Sequence, residues 1–449
     1  MKKLLFITII LYASLFAQEK SEIIRVVGNS LIGKTINGIS FREVIGNVIM
    51  TQGNVKVTCD KAIQNLTNNN AELIGNVIAI QDSITITSEK GFYFGDKKYI
   101  YSIKKISLAD KHVLLTADSG YYYFNLNKSV FNSNVQLFDS TNTLKSNKLT
   151  YFNDIQKAIA VGNVSINDKK STIFCDSLIH FRESKKSNAF NNVRIVNNKQ
   201  QITIIGNELI DEGKINYTRI TGNPLLTKID TTNNGKIDTL LIQAKIFESK
   251  EDSVRRLFAI DSVKIIKGEL FSVNNYTVLF RDENRLMTKK MKKDKQAPVL
   301  WYKNSQLVGD SINIFLSDNK LDSIQIINES TILSKNKEFG NRFDQISGDK
   351  INLYFNDGKL KLTDVQGKVL SIYFMYEKEN PNGLMKSSSN RIKMIFEDNA
   401  VANVSMYEAV QSEYHPENLI KGNELDFTIP SFSIYSNKPK KSVLVQRSK

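Results

Sequence analysis

Cysteine is almost missing from this 449-residue chain: Cys59 and Cys175 are the 2 copies, too few for a disulfide framework. Histidine is as scarce, with 3 copies at His112, His180 and His415, and no spacing that suits a zinc site or a nucleophilic triad. No Gly-x-x-x-x-Gly-Lys-Ser/Thr loop is present to couple nucleotide hydrolysis, and no serine stands in a Gly-x-Ser-x-Gly elbow. These absences predict a protein without cofactor or metal, and without catalytic residues. Proline is rare, at 6 copies, and long Leu/Ala stretches are absent. What remains is a succession of short Ile, Val, Phe and Tyr runs broken by Asn, Asp, Lys and Gly, which predicts an all-β fold.

A single long apolar run exists, the 13 residues from Leu4 to Phe16. A spanning helix needs about 20 residues, so the run is short for a membrane anchor. With Lys2 and Lys3 before it and Ala17 followed by Gln18-Glu19-Lys20 after it, the layout is that of a secretory signal over residues 1–17. No cysteine follows closely enough for a lipoprotein anchor. The full chain carries a formal charge of +15, from Lys+Arg 61 against Asp+Glu 46. A basic exported chain predicts an anionic partner such as a phosphorylated lipid, an acidic glycan or a membrane surface, and disfavours nucleic acid.

A repeat of 29 residues organises the first half. Gly46-Asn47-Val48, Gly75-Asn76-Val77, Ser133-Asn134-Val135, Gly162-Asn163-Val164 and Asn191-Asn192-Val193 share one register, with Lys104-Lys105-Ile106 as its degenerate member. Two residues beyond the Val/Ile position stand Met50, Ala79, Leu108, Leu137, Ile166 and Ile195, apolar in every copy, while the residue between drifts towards polar. That is the period-2 signature of a half-buried strand. A second marker, Asp60, Glu89, Asp118, Asn147 and Asp176, follows the small residues Cys59, Ser88, Ala117, Ser146 and Cys175. Because Asn147 replaces the acid, the marker reads as a turn or strand-end feature and not as a catalytic acid ladder. Gln64, Tyr93, Tyr122, Tyr151 and His180 recur four residues later and predict an aromatic rim, with His180 a structural stand-in for tyrosine.

The register divides the chain into a signal over 1–17, a first array over 18–230, an irregular middle over 231–300 and a looser second array over 301–430. A basic tail over 431–449 holds Lys438, Lys440, Lys441, Arg447 and Lys449, and reads as a flexible end. Stacked repeats bury their apolar face only against neighbours, which predicts an elongated body with an open sheet edge at each end. Cys59 and Cys175 occupy one position four repeats apart. At about 4.8 Å per strand, four repeats put them beyond the reach of a disulfide, so two free buried thiols are expected.

Taken together, the Gly-Asn-Val step, the small-acid step and the Tyr position resemble the OstA-like proteins that bridge the periplasm in lipopolysaccharide transport, over about Gly46 to Pro224. The resemblance implies an open, twisted β-jelly-roll of two antiparallel sheets, periplasmic location and no enzyme activity. It implies an apolar groove for lipopolysaccharide or a related anionic glycolipid, lined by Val48, Met50, Val77, Ala79, Ile106, Leu108, Val135, Leu137, Val164, Ile166, Val193 and Ile195. The partners it implies are other lipopolysaccharide-transport proteins at the inner and outer membranes and head-to-tail copies of the chain itself. The lysines Lys289, Lys290, Lys292, Lys293 and Lys295, followed by Trp301 and Tyr302, form either a solvated loop or a contact for phosphate groups or a membrane surface. Three other readings stay open: a closed core that binds nothing, an extracytoplasmic scaffold or adhesin, and a parallel β-helix enzyme acting on polysaccharide.

Overall fold

The computed structural model describes residues 23–445 except 169–170, 232–236, 252, 319, 379 and 398–399. The expected signal over 1–17 and the basic residues Arg447 and Lys449 lie outside the described residues. The chain forms two compact units, Met1–Ser140 and Thr141–Lys449.

In the first unit, strands Ile39–Gln52, Val55–Asn65, Asn70–Gln81, Ile84–Phe94 and Tyr99–Ala109 each pair antiparallel with the next. Leu114–Ala117 and Ser119–Tyr123 share one strand's place in the ladder, and Lys128–Phe138 follows. The 29-residue repeat is therefore two strands, each about eleven residues long. Every pairing between described strands within each unit is antiparallel, which overturns the parallel β-helix alternative.

The Gly-Asn step lies in the middle of a strand and bends it. Ile45 pairs with Lys61 and Val48 with Cys59, so Gly46 and Asn47 together face Asp60 alone, a two-against-one bulge. Both bulge residues take positive φ, 75° at Gly46 and 50° at Asn47, a region that Gly and Asn tolerate best. The same pair of positive angles recurs at Gly75-Asn76, Ser133-Asn134, Gly162-Asn163 and Asn191-Asn192. At Gly75 a Cβ would crowd the Asp60 carboxylate, yet Ser133 and Asn191 carry side chains at the equivalent place, so the corner favours glycine without requiring it.

The recurring acid holds this corner. Asn76 Nδ2 donates to Asp60 Oδ2 at 2.9 Å, Asn134 Nδ2 to Asp118 Oδ2 at 2.7 Å and Asn192 Nδ2 to Asp176 Oδ2 at 2.8 Å. In the degenerate copy Lys104 and Lys105 stand at the glycine and asparagine places, and their ammonium groups lie 2.8 Å and 3.9 Å from Glu89. The Asp60, Asp118, Asp176 ladder was expected at turns or strand ends. Asp60 and Asp176 stand instead at mid-strand corners, where a single residue must answer two, while Asp118 fills the break between Leu114–Ala117 and Ser119–Tyr123, at a strand end as expected.

Each bent strand contributes one limb to each of two sheets. In the first unit, residues 41–45, 61–65, 70–74 and 90–94 build one sheet, and residues 48–52, 55–59, 77–81 and 84–88 build the other. The corner runs along one side. The hairpin ends lie along the opposite side, which is the mouth of the jelly-roll.

The second unit keeps this grammar with longer limbs. Corner pairs with positive φ recur at Asp261-Ser262, Asn328-Glu329 and Gly367-Lys368, and Lys359–Glu377 reaches 19 residues. Its final segment breaks the pattern. After strand Gln411–His415, the short helix Glu417–Ile420 leads into an extended stretch that crosses the outer face of one sheet. Gln345 Nε2 donates to the Phe427 carbonyl at 3.0 Å, and the Ile429 amide donates back to Gln345 Oε1 at 2.9 Å. Thr331 Oγ1 donates to Ser431 Oγ at 2.8 Å, and Gln306 holds the Ser433 carbonyl at 2.7 Å and the Tyr435 amide at 2.8 Å. The Lys438 ammonium sits 4.4 Å from the Phe271 ring centroid, and Leu444 is buried with Leu225, Leu241 and Ile266. Residues 431–445, read from composition as part of a flexible basic end, are thus a packed strap. Arg342, 2% exposed, anchors its start through Glu417 Oε1 at 2.5 Å and Glu424 Oε1 at 3.5 Å.

Candidate functional site

The inward positions read from the repeat lie inside the sandwich of their own unit. Val48, Met50, Val77, Ala79, Ile106, Leu108, Val135 and Leu137 are all buried in the first unit, none above 7% exposed. In the second unit Val164 and Val193 are buried, while Ile166 and Ile195, nearer the mouth, are half-buried. The opposite sheet of the first unit supplies Ala62, Ala71, Leu73, Ile100 and Phe131. At roughly 25 cal/mol per Å2 of apolar surface removed from water, this double layer is the main stabilising term of the unit.

The expected aromatic rim is an interior feature. Tyr93, Tyr122 and Tyr151 are buried to 2% exposure or less, because a ring pointing inward from the hairpin end fills the widest part of the wedge. Two glutamines, to which the sequence reading assigned no role, meet the first two tyrosines from the facing sheet. Tyr93 Oη donates to Gln52 Oε1 at 2.5 Å, and Gln52 Nε2 donates to the Gly95 carbonyl at 3.2 Å. One repeat later, Tyr122 Oη donates to Gln81 Oε1 at 3.4 Å and Gln81 Nε2 to the Phe124 carbonyl at 3.1 Å. A readable signal existed: Gln52 and Gln81 are 29 apart and share the inward phase of Val48-Met50 and Val77-Ala79. His180, at the next tyrosine position but one, engages Ser187 Oγ through Nδ1 at 2.9 Å, in line with a structural stand-in.

Cys59 and Cys175 are free and buried, as expected. Burial raises both thiols to about 11, so neither presents a thiolate at neutral pH. Among the described residues no group of His, Cys, Asp and Glu could hold a metal ion, and no helix is long and apolar enough to cross a membrane.

The lysines Lys289, Lys290, Lys292, Lys293 and Lys295 lie in and beside a loop over 290–298, which replaces one corner between strands Arg285–Lys289 and Val299–Tyr302. Lys289, Lys292, Lys293 and Lys295 are exposed, while Lys290 lies 3.7 Å from Asp310. Trp301 is buried and the Tyr302 hydroxyl donates to the Gly358 carbonyl at 3.0 Å, so these aromatics do not stand beside the lysines as a membrane-facing pair.

Each unit also ends in a strand with one free side among the described pairings. Ser30–Ile36 pairs only with Ile39–Gln52, and Leu31, Ile32 and Ile36 are exposed on it. Ala400–Tyr407 and Gln411–His415 both pair only with Asn380–Glu397.

The sequence pattern of the OstA-like protein family matches residues 29–173 and 153–238, in two overlapping copies. Among solved structures, the chain is similar to LptH of Pseudomonas aeruginosa, described as the LptA-homologous periplasmic component of the conserved lipopolysaccharide transport device. The identity is 14% with a TM-score of 0.17, over 33% of this chain and 96% of that one. No curated protein sequence matches the chain.

Proposed function

We propose that this chain, whose residues 29–238 match the pattern of the OstA-like family, is a periplasmic, non-enzymatic carrier that shields the acyl chains of lipopolysaccharide or a related anionic glycolipid between its two sheets. The observation that carries this reading is the unbroken inward row Val48, Met50, Val77, Ala79, Ile106, Leu108, Val135 and Leu137 within a wedge whose corner is fixed and whose opposite side ends in hairpins. Such a wedge needs no special chemistry to hold lipid, since each methylene removed from water contributes about 0.8 kcal/mol. Val164, Ile166, Val193 and Ile195 form a lining of the same kind within the second unit. The exposed lysines of the 290–298 loop supply the positive charge that glycolipid phosphates seek. Free edges at Ser30–Ile36 and Ala400–Tyr407 offer strand pairing with other transport proteins or with a second copy, head to tail.

The competing reading, a packed scaffold without cargo, is favoured by the closure of the first unit's interior. Photo-methionine decides between the two. Chain labelled at its methionines is incubated with lipopolysaccharide micelles, irradiated and mapped by peptide mass spectrometry. The carrier reading expects lipid adducts on the peptide holding buried Met50. Adducts confined to exposed Met291, or none, would establish the scaffold.

A further inference from the structure

We propose that the pairs Gln52–Tyr93 and Gln81–Tyr122 are a clasp that gates the mouth of the first unit and controls lipid entry; the proposal rests on the carrier reading and names the residues that regulate it. Gln52 ends the limb 48–52 of one sheet and sits at the hairpin Gly53-Asn54, farthest from the corner. Tyr93 and Gly95 close the limb 90–94 of the other sheet at its own hairpin end. Their hydrogen bonds therefore tie together the two free margins of the wedge. Gln81 and Tyr122 repeat the tie with Phe124, whose ring packs edge-on against Tyr122 at 5.0 Å.

Two facts separate a gate from a core. All four side chains are buried, with Gln52 and Gln81 at 4% and 8% exposure, inside a wall where neighbouring inward positions are apolar. An apolar seal would be cheaper to bury, because a glutamine amide gives up hydration on entering the interior. A hydrogen-bonded seal has a different property: when it parts, water takes up each donor and acceptor, so opening strands no polar group and costs only the modest net strength of the bonds. The clasp also ends where it is expected to fail. The next position in the glutamine register is Asp110, whose carboxylate turns back to its own loop and accepts from the amides of His112 at 2.6 Å and Val113 at 2.8 Å.

Because the interior positions are closed to solvent in this state, acyl chains reach Met50 or Ala79 only after the margins separate. The test compares initial rates at which the full chain takes up fluorescent lipid A from micelles. Tyr93→Phe with Tyr122→Phe keeps both rings and removes the two hydroxyl ties. Each lost hydrogen bond shifts the opening equilibrium by about fivefold, so uptake accelerates by at least that factor. Ser102→Ala is the control for general loosening, since it breaks the Ser88–Ser102 contact of 2.6 Å near the corner and leaves the rate unchanged. A second arm places Gln52→Cys and Tyr93→Cys in a Cys59→Ser, Cys175→Ser background and bridges them with a cleavable thiol linker. Bridging blocks uptake, and cleavage restores it. Uptake at the unmodified rate in the phenylalanine chain, or through the bridged mouth, overturns the clasp and leaves the carrier standing. No uptake by any folded chain overturns the carrier, and the gate with it.

Discussion

The two units spend their apolar residues on different faces. In the first unit the outer positions of the sheet holding residues 48–59 and 77–88 are Thr51, Lys56, Thr58, Thr85 and Thr87, interrupted by Ile49, Ile78 and Ile80, and none of the unit's described residues covers them. In the second unit the corresponding outer face carries Leu225, Leu241, Ile266, Phe271, Ile372, Phe374 and Leu384, and the strap from Glu417 to Leu444 lies on it. Polar groups follow the reverse distribution. Inside the second unit Lys267 is buried against Asp230 at 3.3 Å and Asp238 at 2.9 Å, and Asp344 accepts from the Phe374 amide at 3.0 Å. One unit is a wedge sealed at its mouth and free to part there. The other is splinted from outside.

Cutting the strap is the strongest way to break this contrast. A chain ending at Pro416 loses the burial of Ile420, Ile429 and Leu444 with that of Phe427 and Phe432, and the second unit is expected to lose on the order of 5 kcal/mol. Hydrogen exchange is the measurement. Amides of Leu225–Thr231 through Asn380–Glu397 lose protection, while those of Val55–Phe94 keep theirs; a uniform loss would refute the division. A narrower version, Arg342→Met, leaves Glu417 and Glu424 without their buried partner and produces a smaller loss in the same strands.

An intermediate effect comes from Asp344. Burial raises its carboxyl from 3.8 to about 6, against the opposing hydrogen bond from the Phe374 amide. The folded chain therefore binds this proton more tightly than the unfolded one. The contribution of Asp344 to stability is greatest below pH 4, falls as pH rises through 6, and is flat above. Asp344→Asn keeps an acceptor for the Phe374 amide and is expected to gain about 2 kcal/mol at pH 8 and nothing at pH 4, read as thermal midpoints across pH. A gain that does not change with pH would mean that packing, and not charge, is at work.

The smallest effect is at a corner. Asp118→Ala removes the acceptor of the 2.7 Å bond from Asn134 and costs about 1 kcal/mol, whereas Asp118→Asn costs less than about 0.5 kcal/mol, because Asn147 already serves at the same register position. Equal losses for the two variants would show that the corner needs charge, which its solvent exposure argues against.

The 29-residue register made the fold of the first unit legible, because side-chain alternation and strand length are local properties. It also located the inward positions: ten of the twelve residues are buried, and Ile166 and Ile195 are partly so. What escaped depends on contacts the register does not contain. The Gly-Asn step marked a repeat without revealing that it bends a strand, since a bulge is defined by the partner strand's count. The clasp joins residues 41 apart, a spacing that is no multiple of the repeat. The strap was hidden by composition, as Lys438, Lys440 and Lys441 masked the separate anchors Ile429 and Leu444.

That strap also sets an order of events in folding. Ladder contacts join neighbouring strands and close quickly, but Gln306 meets Ser433 and Tyr435 across 127 and 129 residues. Such distant closures come late and slowly. Until the strap lands, the second unit is a finished ladder with a bare apolar face, the form most open to chaperones, proteases and aggregation. Its arrival covers that face, so a chain cut at Pro416 is expected to aggregate more readily on refolding than the full chain.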